Sequence, residues 1–133
     1  IDLYLLLPAI AIGFLSVGVL NLNNMRDEAC DRKAGKNTIV VKMGGENAKK
    51  YHYFLLISAM ILLLVFGFTQ QFAIDQFIYV IVFFPIISHM LRVMKTKNPA
   101  NLDPELKRLA ISTFMVSLLL SLCMIYFISD VIV

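Results

Sequence analysis

Four stretches of this chain, Leu3–Leu22, Tyr53–Ile74, Phe77–Leu91 and Leu109–Ser129, contain no Asp, Glu, Lys or Arg. That feature restricts the fold more than any other. An α-helix rises about 1.5 Å per residue, so roughly twenty residues cross a ~30 Å hydrocarbon core. Backbone groups in lipid find no water, so each segment must satisfy its own hydrogen bonds, which selects helices. The third stretch is the shortest, and Gln76 and Arg92 at its ends lengthen it by snorkelling to the interface. The expected fold is all-α: a polytopic membrane protein with four transmembrane helices at about residues 3–24, 50–70, 74–94 and 105–130. Composition agrees, since 59% of residues are hydrophobic, 16% are charged and the mean hydropathy is +0.80, outside the range of soluble domains.

The bases give the topology. All twelve Lys and Arg fall in two places, Arg26–Lys50 and Arg92–Arg108, and the remaining polar segments carry only Asp2, Asp75 and Asp130. By the positive-inside rule both basic loops are expected to be cytoplasmic, with the chain ends on the opposite side of a cell (inner, plasma) membrane. The +3 net charge is therefore topological, the lipid bilayer is the expected environment, and no nucleic-acid partner is expected. The chain starts at Ile1 inside an apolar run without a basic leader, which points to a piece of something longer. Cys30 and Cys123 are expected to be free thiols.

Local signals fill in the rest. Pro8 is expected to kink the first span, and Ala9–Gly13 and Ser117–Ser121 read as small-residue packing faces. Pro85 is expected to kink the third span. His89, about one turn from the end of that span, and His52, at the lip of the second, read as hydrogen-bonded side chains. Asp103, Pro104 and Glu105 form a helix start, with Asp103 as N-cap and Glu105 complementing the dipole. The segment of about 25–49 reads as an ordered loop, because Thr38–Val41 is too apolar for disorder.

Within that segment, "NNMRDEACDRKAGKNT" (residues 23–38) holds seven charged residues of both signs at the edge of an apolar span. If the first helix continues past the headgroups, Asp27 and Asp31 are i and i+4 neighbours on one face, with Asn23 and Asn24 near the same stripe. Such a stripe suits Mg²⁺, which keeps several waters and takes one or two carboxylates plus substrate phosphates. Arg26, Arg32, Lys33 and Lys36 around it would neutralise phosphate oxygens. Carboxylate-held Mg²⁺ and bases could stabilise the outgoing pyrophosphate of an allylic diphosphate, while the apolar bundle receives its hydrocarbon tail. The plain alternative is a juxtamembrane loop charged for topological reasons alone.

The longer pattern Asn24-x-Arg26-Asp27-x-x-x-Asp31-Arg32-x-x-Gly35-Lys36-x-Thr38, followed by "IVVKMG", resembles the second aspartate-rich motif of the UbiA superfamily of intramembrane prenyltransferases. Ile39 stands where the motif has Leu. The similarity is greatest to the branch that prenylates 1,4-dihydroxy-2-naphthoate in menaquinone biosynthesis, and it extends over essentially the whole chain. The resemblance implies a nine-helix bundle of which this chain supplies the C-terminal part, with two acidic motifs holding Mg²⁺ and the diphosphate of a polyprenyl donor. It implies Asp27 and Asp31 as the catalytic, metal-holding carboxylates. Asn23, Asn24, Arg26, Arg32 and Lys36 are implied as diphosphate-binding. The implied partners are polyprenyl diphosphate, an aromatic acceptor and the N-terminal half of the same enzyme, which would carry the first motif. Without that half, this segment is expected to be inactive. Alternatives are a 4-hydroxybenzoate, haem or other lipid acceptor within the superfamily, a transporter half, and a structural membrane subunit. Spans free of interior Asp, Glu, Lys and Arg disfavour coupled ion transport.

Overall fold

The computed structural model describes residues 3–132, with side chains through residue 127, so Asp2 and the side chain of Asp130 lie outside the described residues. Helices α1 (Leu6–Lys33), α2 (Ile39–Met43), α3 (Gly45–Thr69), α4 (Phe83–Lys95) and α5 (Asp103–Ile132) follow in order. Short 3₁₀ segments, Leu3–Leu5, Ile74–Val82 and Pro99–Leu102, lead into α1, α4 and α5. With these lead-ins, four helices are long and apolar enough to cross a membrane: Leu3–Lys33, Gly45–Thr69, Ile74–Lys95 and Pro99–Phe127. Among the described residues there is no strand.

Apolar residues at helical spacing decide the packing. On α1, Ala11, Leu15, Gly18 and Leu22 recur every three or four positions and are all buried. They form a stripe against α3, where His52, Leu56, Ala59 and Leu63 are buried at the same spacing. A Cβ at Gly18 would lie 3.0 Å from Leu56 Cδ2, so glycine here sets how closely the helices approach. Of the small-residue faces expected from sequence, Ala9–Gly13 does not pack within this chain. Ala9 is exposed and Gly13 has open space around it, because both fall off the buried stripe. The Ser117 and Ser121 hydroxyls donate to the carbonyls of Thr113 (3.0 Å) and Ser117 (2.8 Å) within their own helix.

Two further segments differ in form from expectation. Pro85 has no N–H to give the Ile81 carbonyl, and the nine residues Ile74–Val82 before the α-helical stretch are wound as 3₁₀ helix. The segment expected as a loop from about 25 to 49 is largely helical. α1 runs on to Lys33, and Thr38 caps α2, its Oγ1 accepting from Val41 N at 3.2 Å while Val40 is buried beneath. Helix α5 includes Asp103 as a helical residue, φ −56° and ψ −46°. The capping expected of Asp103 falls instead to Asn98, whose Oδ1 accepts from Ala100 N at 3.1 Å with Pro99 beside it.

Candidate functional site

The C-terminal turns of α1 gather the charged residues. Because α1 is helical to Lys33, Asp27 and Asp31 stand four residues apart on one face, with Asn23 a further turn back. Asp27 is held by Arg26 through both oxygens: Arg26 Nε donates to Oδ1 at 2.8 Å and Nη2 to Oδ2 at 3.0 Å. Arg26 Nη2 also donates to Asn23 Oδ1 at 3.0 Å, and Asn23 Nδ2 to Asp27 Oδ2 at 3.5 Å. A bidentate guanidinium–carboxylate pair of this kind is directional as well as attractive.

Asp31 acquires its partner through the way the helix ends. Gly35 adopts φ +70°, a left-handed conformation that costs a residue with a Cβ about 1–2 kcal/mol. Gly35 N donates to Arg32 O (3.2 Å) and Lys36 N to Asp31 O (2.9 Å), the paired hydrogen bonds of a Schellman stop. The turn folds Lys36 back over the helix, where its Nζ lies 2.8 Å from Asp31 Oδ1. Asp31 is only 5% exposed, so this contact neutralises a nearly buried carboxylate. The hydrogen bond that Lys36 donates to the Asp31 carboxylate holds its ammonium above the ordinary lysine pKa.

The remaining sequence candidates are placed differently. Arg32 pairs with Glu28 (2.9 Å) and reaches Val41 O (3.4 Å), away from both Asp27 and Asp31. Arg26, Arg32 and Lys33 line a cleft of about 490 Å³ that is closed on its other side by Asn98, Pro99 and Ala100. The two aspartates lie on the neighbouring face of α1, outside that lining. Asn24 is half-buried and makes no side-chain hydrogen bond among the described residues. The bases therefore face two ways, toward the carboxylates and toward the cleft, and Arg26 belongs to both.

Two further groups of polar contacts were not foreseen from the sequence, although His52 and His89 are hydrogen-bonded as expected. Asp103, at the start of α5, accepts from Arg26 Nη1 at 2.7 Å, so Arg26 bridges Asp27 and Asp103. Deeper in the bundle, His52 Nε2 lies 3.0 Å from His89 Nε2, and His89 Nδ1 lies 3.0 Å from Glu105 Oε2. Glu105 Oε1 accepts from Arg92 Nε (2.7 Å) and Arg108 Nη1 (2.6 Å). All three of His52, His89 and Glu105 are buried, linking α3, α4 and α5. The available signal was depth: each of the three lies within about two helical turns of the same end of the bundle.

The donor set is compatible with a divalent ion, since Asp27 and Asp31 offer hard oxygen ligands on one helical face. Among the described residues, no group of three or more His, Cys, Asp or Glu converges to hold an ion unaided. Such an ion would need oxygens from a bound phosphate, from water or from another part of the protein.

These observations define a class: a membrane-spanning helical bundle that gathers paired acids and bases at one end of an apolar interior. The chain belongs to the UbiA prenyltransferase family, which it matches over residues 1–118. It is similar to the 1,4-dihydroxy-2-naphthoate octaprenyltransferase of Haemophilus influenzae, 34% identical over 122 residues, covering 92% of this chain and 40% of that protein. The 1,4-dihydroxy-2-naphthoate octaprenyltransferase of Escherichia coli K12 is likewise 34% identical over 115 residues, covering 86% of this chain and 37% of that protein. The chain thus spans about two-fifths of the length of these relatives. No solved structure matches it.

Proposed function

We propose that this chain is part of an enzyme that transfers a polyprenyl group from its diphosphate to an aromatic acceptor, 1,4-dihydroxy-2-naphthoate, with Mg²⁺ as cofactor. The observation that carries the reading is the Asp27–Asp31 stripe at the end of an apolar bundle, each carboxylate already matched to a base, Arg26 and Lys36. Carboxylates with exchangeable cationic partners suit a ligand that brings both metal and phosphate. The names of the two relatives supply the acceptor and the donor class.

In this reading Asp27 and Asp31 would hold Mg²⁺, which when bound offsets the charge of the diphosphate. Arg26 and Lys36, displaced from the carboxylates, turn to the phosphate oxygens, and Asp103 keeps Arg26 in place as it does so. The allylic C–O bond breaks with its electron pair leaving on pyrophosphate. A C–C bond forms at the ring carbon that carries the acceptor's carboxylate, and that carboxylate departs as CO₂. The product is the quinol of demethylmenaquinone. The apolar walls of the bundle keep water from the allylic cation. The motif face is cytoplasmic, the membrane is the inner (plasma) membrane, and the remaining helices come from the N-terminal half of the enzyme.

The test is Asp27→Ala and Asp31→Ala, separately, in the full-length enzyme. Each is expected to abolish prenyl transfer nearly completely while leaving the helical circular-dichroism signal and the thermal midpoint close to those of the parent. Full activity in either variant would overturn the assignment.

A further inference from the structure

The Glu105 cluster sits at the head of an open groove that the proposed reaction does not use. The groove, about 500 Å³, runs between α4 and α5. Its floor is apolar, with Ile81, Phe84, Ile111 and Met115 along it, and Arg92 and Arg108 stand at its loop-side end. Phe84 and Ile81 are 79% and 70% exposed, so this face is open along its length in the chain.

The charges at the head of the groove do not balance. Arg92 and Arg108 both donate to one oxygen of Glu105, giving two guanidinium charges against one carboxylate. Arg92 engages Glu105 through Nε and Ser88 Oγ through Nη1 (2.6 Å), and Arg108 engages Glu105 through Nη1. The Nη2 group of each arginine has no protein partner among the described residues. Arg92 and Arg108 remain 40% and 53% exposed, so those donors are accessible from the groove. An unmatched positive charge with free donors thus caps an apolar channel that is parallel to the membrane-spanning helices. Basic pockets between transmembrane helices at the interface recognise anionic headgroups, and a guanidinium pair offers the fork geometry that phosphate oxygens accept.

We infer that the α4–α5 groove is a binding site for one anionic phospholipid. Its phosphate bridges Arg92 and Arg108 beside Glu105, and an acyl chain lies along Ile81, Phe84, Ile111 and Met115. The site is separate from the Asp27–Asp31 stripe, and its occupancy does not depend on prenyl transfer. Glu105 fixes both arginines in place, so the headgroup meets a preorganised pair of donors. His52 and His89 anchor Glu105 from behind, tying the lipid to three of the four spans.

The test uses the full-length protein with a photoreactive benzoylphenylalanine in place of Phe84, reconstituted in equal parts phosphatidylglycerol and phosphatidylcholine. Irradiation followed by mass spectrometry identifies what occupies the groove. Phosphatidylglycerol is expected in about fivefold excess over phosphatidylcholine, the effect of roughly one unmatched basic charge. Arg108→Gln, which leaves the Arg92–Glu105–His89 contacts intact, is expected to bring that ratio close to one. Capture of both lipids in equal amounts by the parent would mean that only bulk lipid lines the groove, and would overturn the proposal. So would capture of another part of the same protein, which would mean that missing helices cover this face. Neither outcome bears on the activity of the Asp27 and Asp31 variants, so the two readings fail independently.

Discussion

Gly35 turns a helix end into a charge pair. Its left-handed conformation lets Lys36 return to Asp31, and no residue with a Cβ takes that conformation without cost. Gly35→Ala is expected to lower the stability of the full-length protein by about 1 kcal/mol, read as a drop in thermal midpoint. A severalfold rise in KM for the diphosphate donor should accompany it as Lys36 loses its position. The raised pKa of Lys36 gives the pH dependence its sign. A folded-state pKa above the ordinary lysine value means its contribution is fully present below that value and is lost only as pH climbs beyond it. Donor KM is therefore expected to show no step from Lys36 across the neutral range. Asp103 gives a complementary case, because it holds Arg26 at 2.7 Å from the opposite side of the site. Asp103→Asn keeps the shape and removes the charge. It is expected to raise donor KM severalfold with a smaller effect on kcat, whereas an unchanged KM would assign Asp103 to helix packing alone.

Between elements, the contacts that fix the bundle are of two kinds. The α1–α3 seam depends on close approach at Gly18, where Leu56 Cδ2 already stands at the limit for an added methyl. Gly18→Val is expected to overpack the seam and cost about 1–3 kcal/mol, visible as a lower thermal midpoint in detergent. The α3–α4–α5 junction depends on Glu105, which serves one histidine and two arginines at once. Helix positions were legible from sequence because the absence of charge over some twenty residues is a local property. The Asp27–Asp31 stripe was legible for the same reason, since i and i+4 in a helix are neighbours whatever surrounds them. The roles of Asp103 and Glu105 were not. Arg26 and Asp103 are 77 residues apart in sequence, and both acids already had a sufficient local explanation as the start of a helix. Likewise, Ala9 and Gly13 match the small-residue spacing, yet the buried stripe runs through Ala11, Leu15 and Gly18.

For the molecule as a whole, the chain covers only part of the length of its relatives, and among the described residues no three His, Cys, Asp or Glu converge to hold an ion. Under the proposed function, purified residues 1–133 are expected to show no prenyl transfer, and co-expression with the proposed N-terminal half is expected to restore it. Cys30, exposed near the end of α1, offers a reporter of orientation. A membrane-impermeant maleimide should label it in inverted inner-membrane vesicles and leave it unlabelled in intact spheroplasts. The reverse pattern would place the site on the other side of the membrane.

The contact between His52 and His89 joins ring nitrogens of the same kind, Nε2 to Nε2, at 3.0 Å. Two such nitrogens share a single proton, so one of them gives it and the other receives it. If His89 gives its Nδ1 proton to Glu105 and stays neutral, its Nε2 must receive from His52. The Nδ1 of His52, buried beside the Gly18 backbone of α1 without a well-formed hydrogen bond, is then left as a lone pair. If His89 gives at both nitrogens, His52 must receive at Nε2 and carry its own proton on Nδ1, facing α1. The protonation of the two rings is therefore coupled: a proton added to His89 beside Glu105, on the loop side of the bundle, leaves His52 with a proton rather than a lone pair at the seam between α1 and α3.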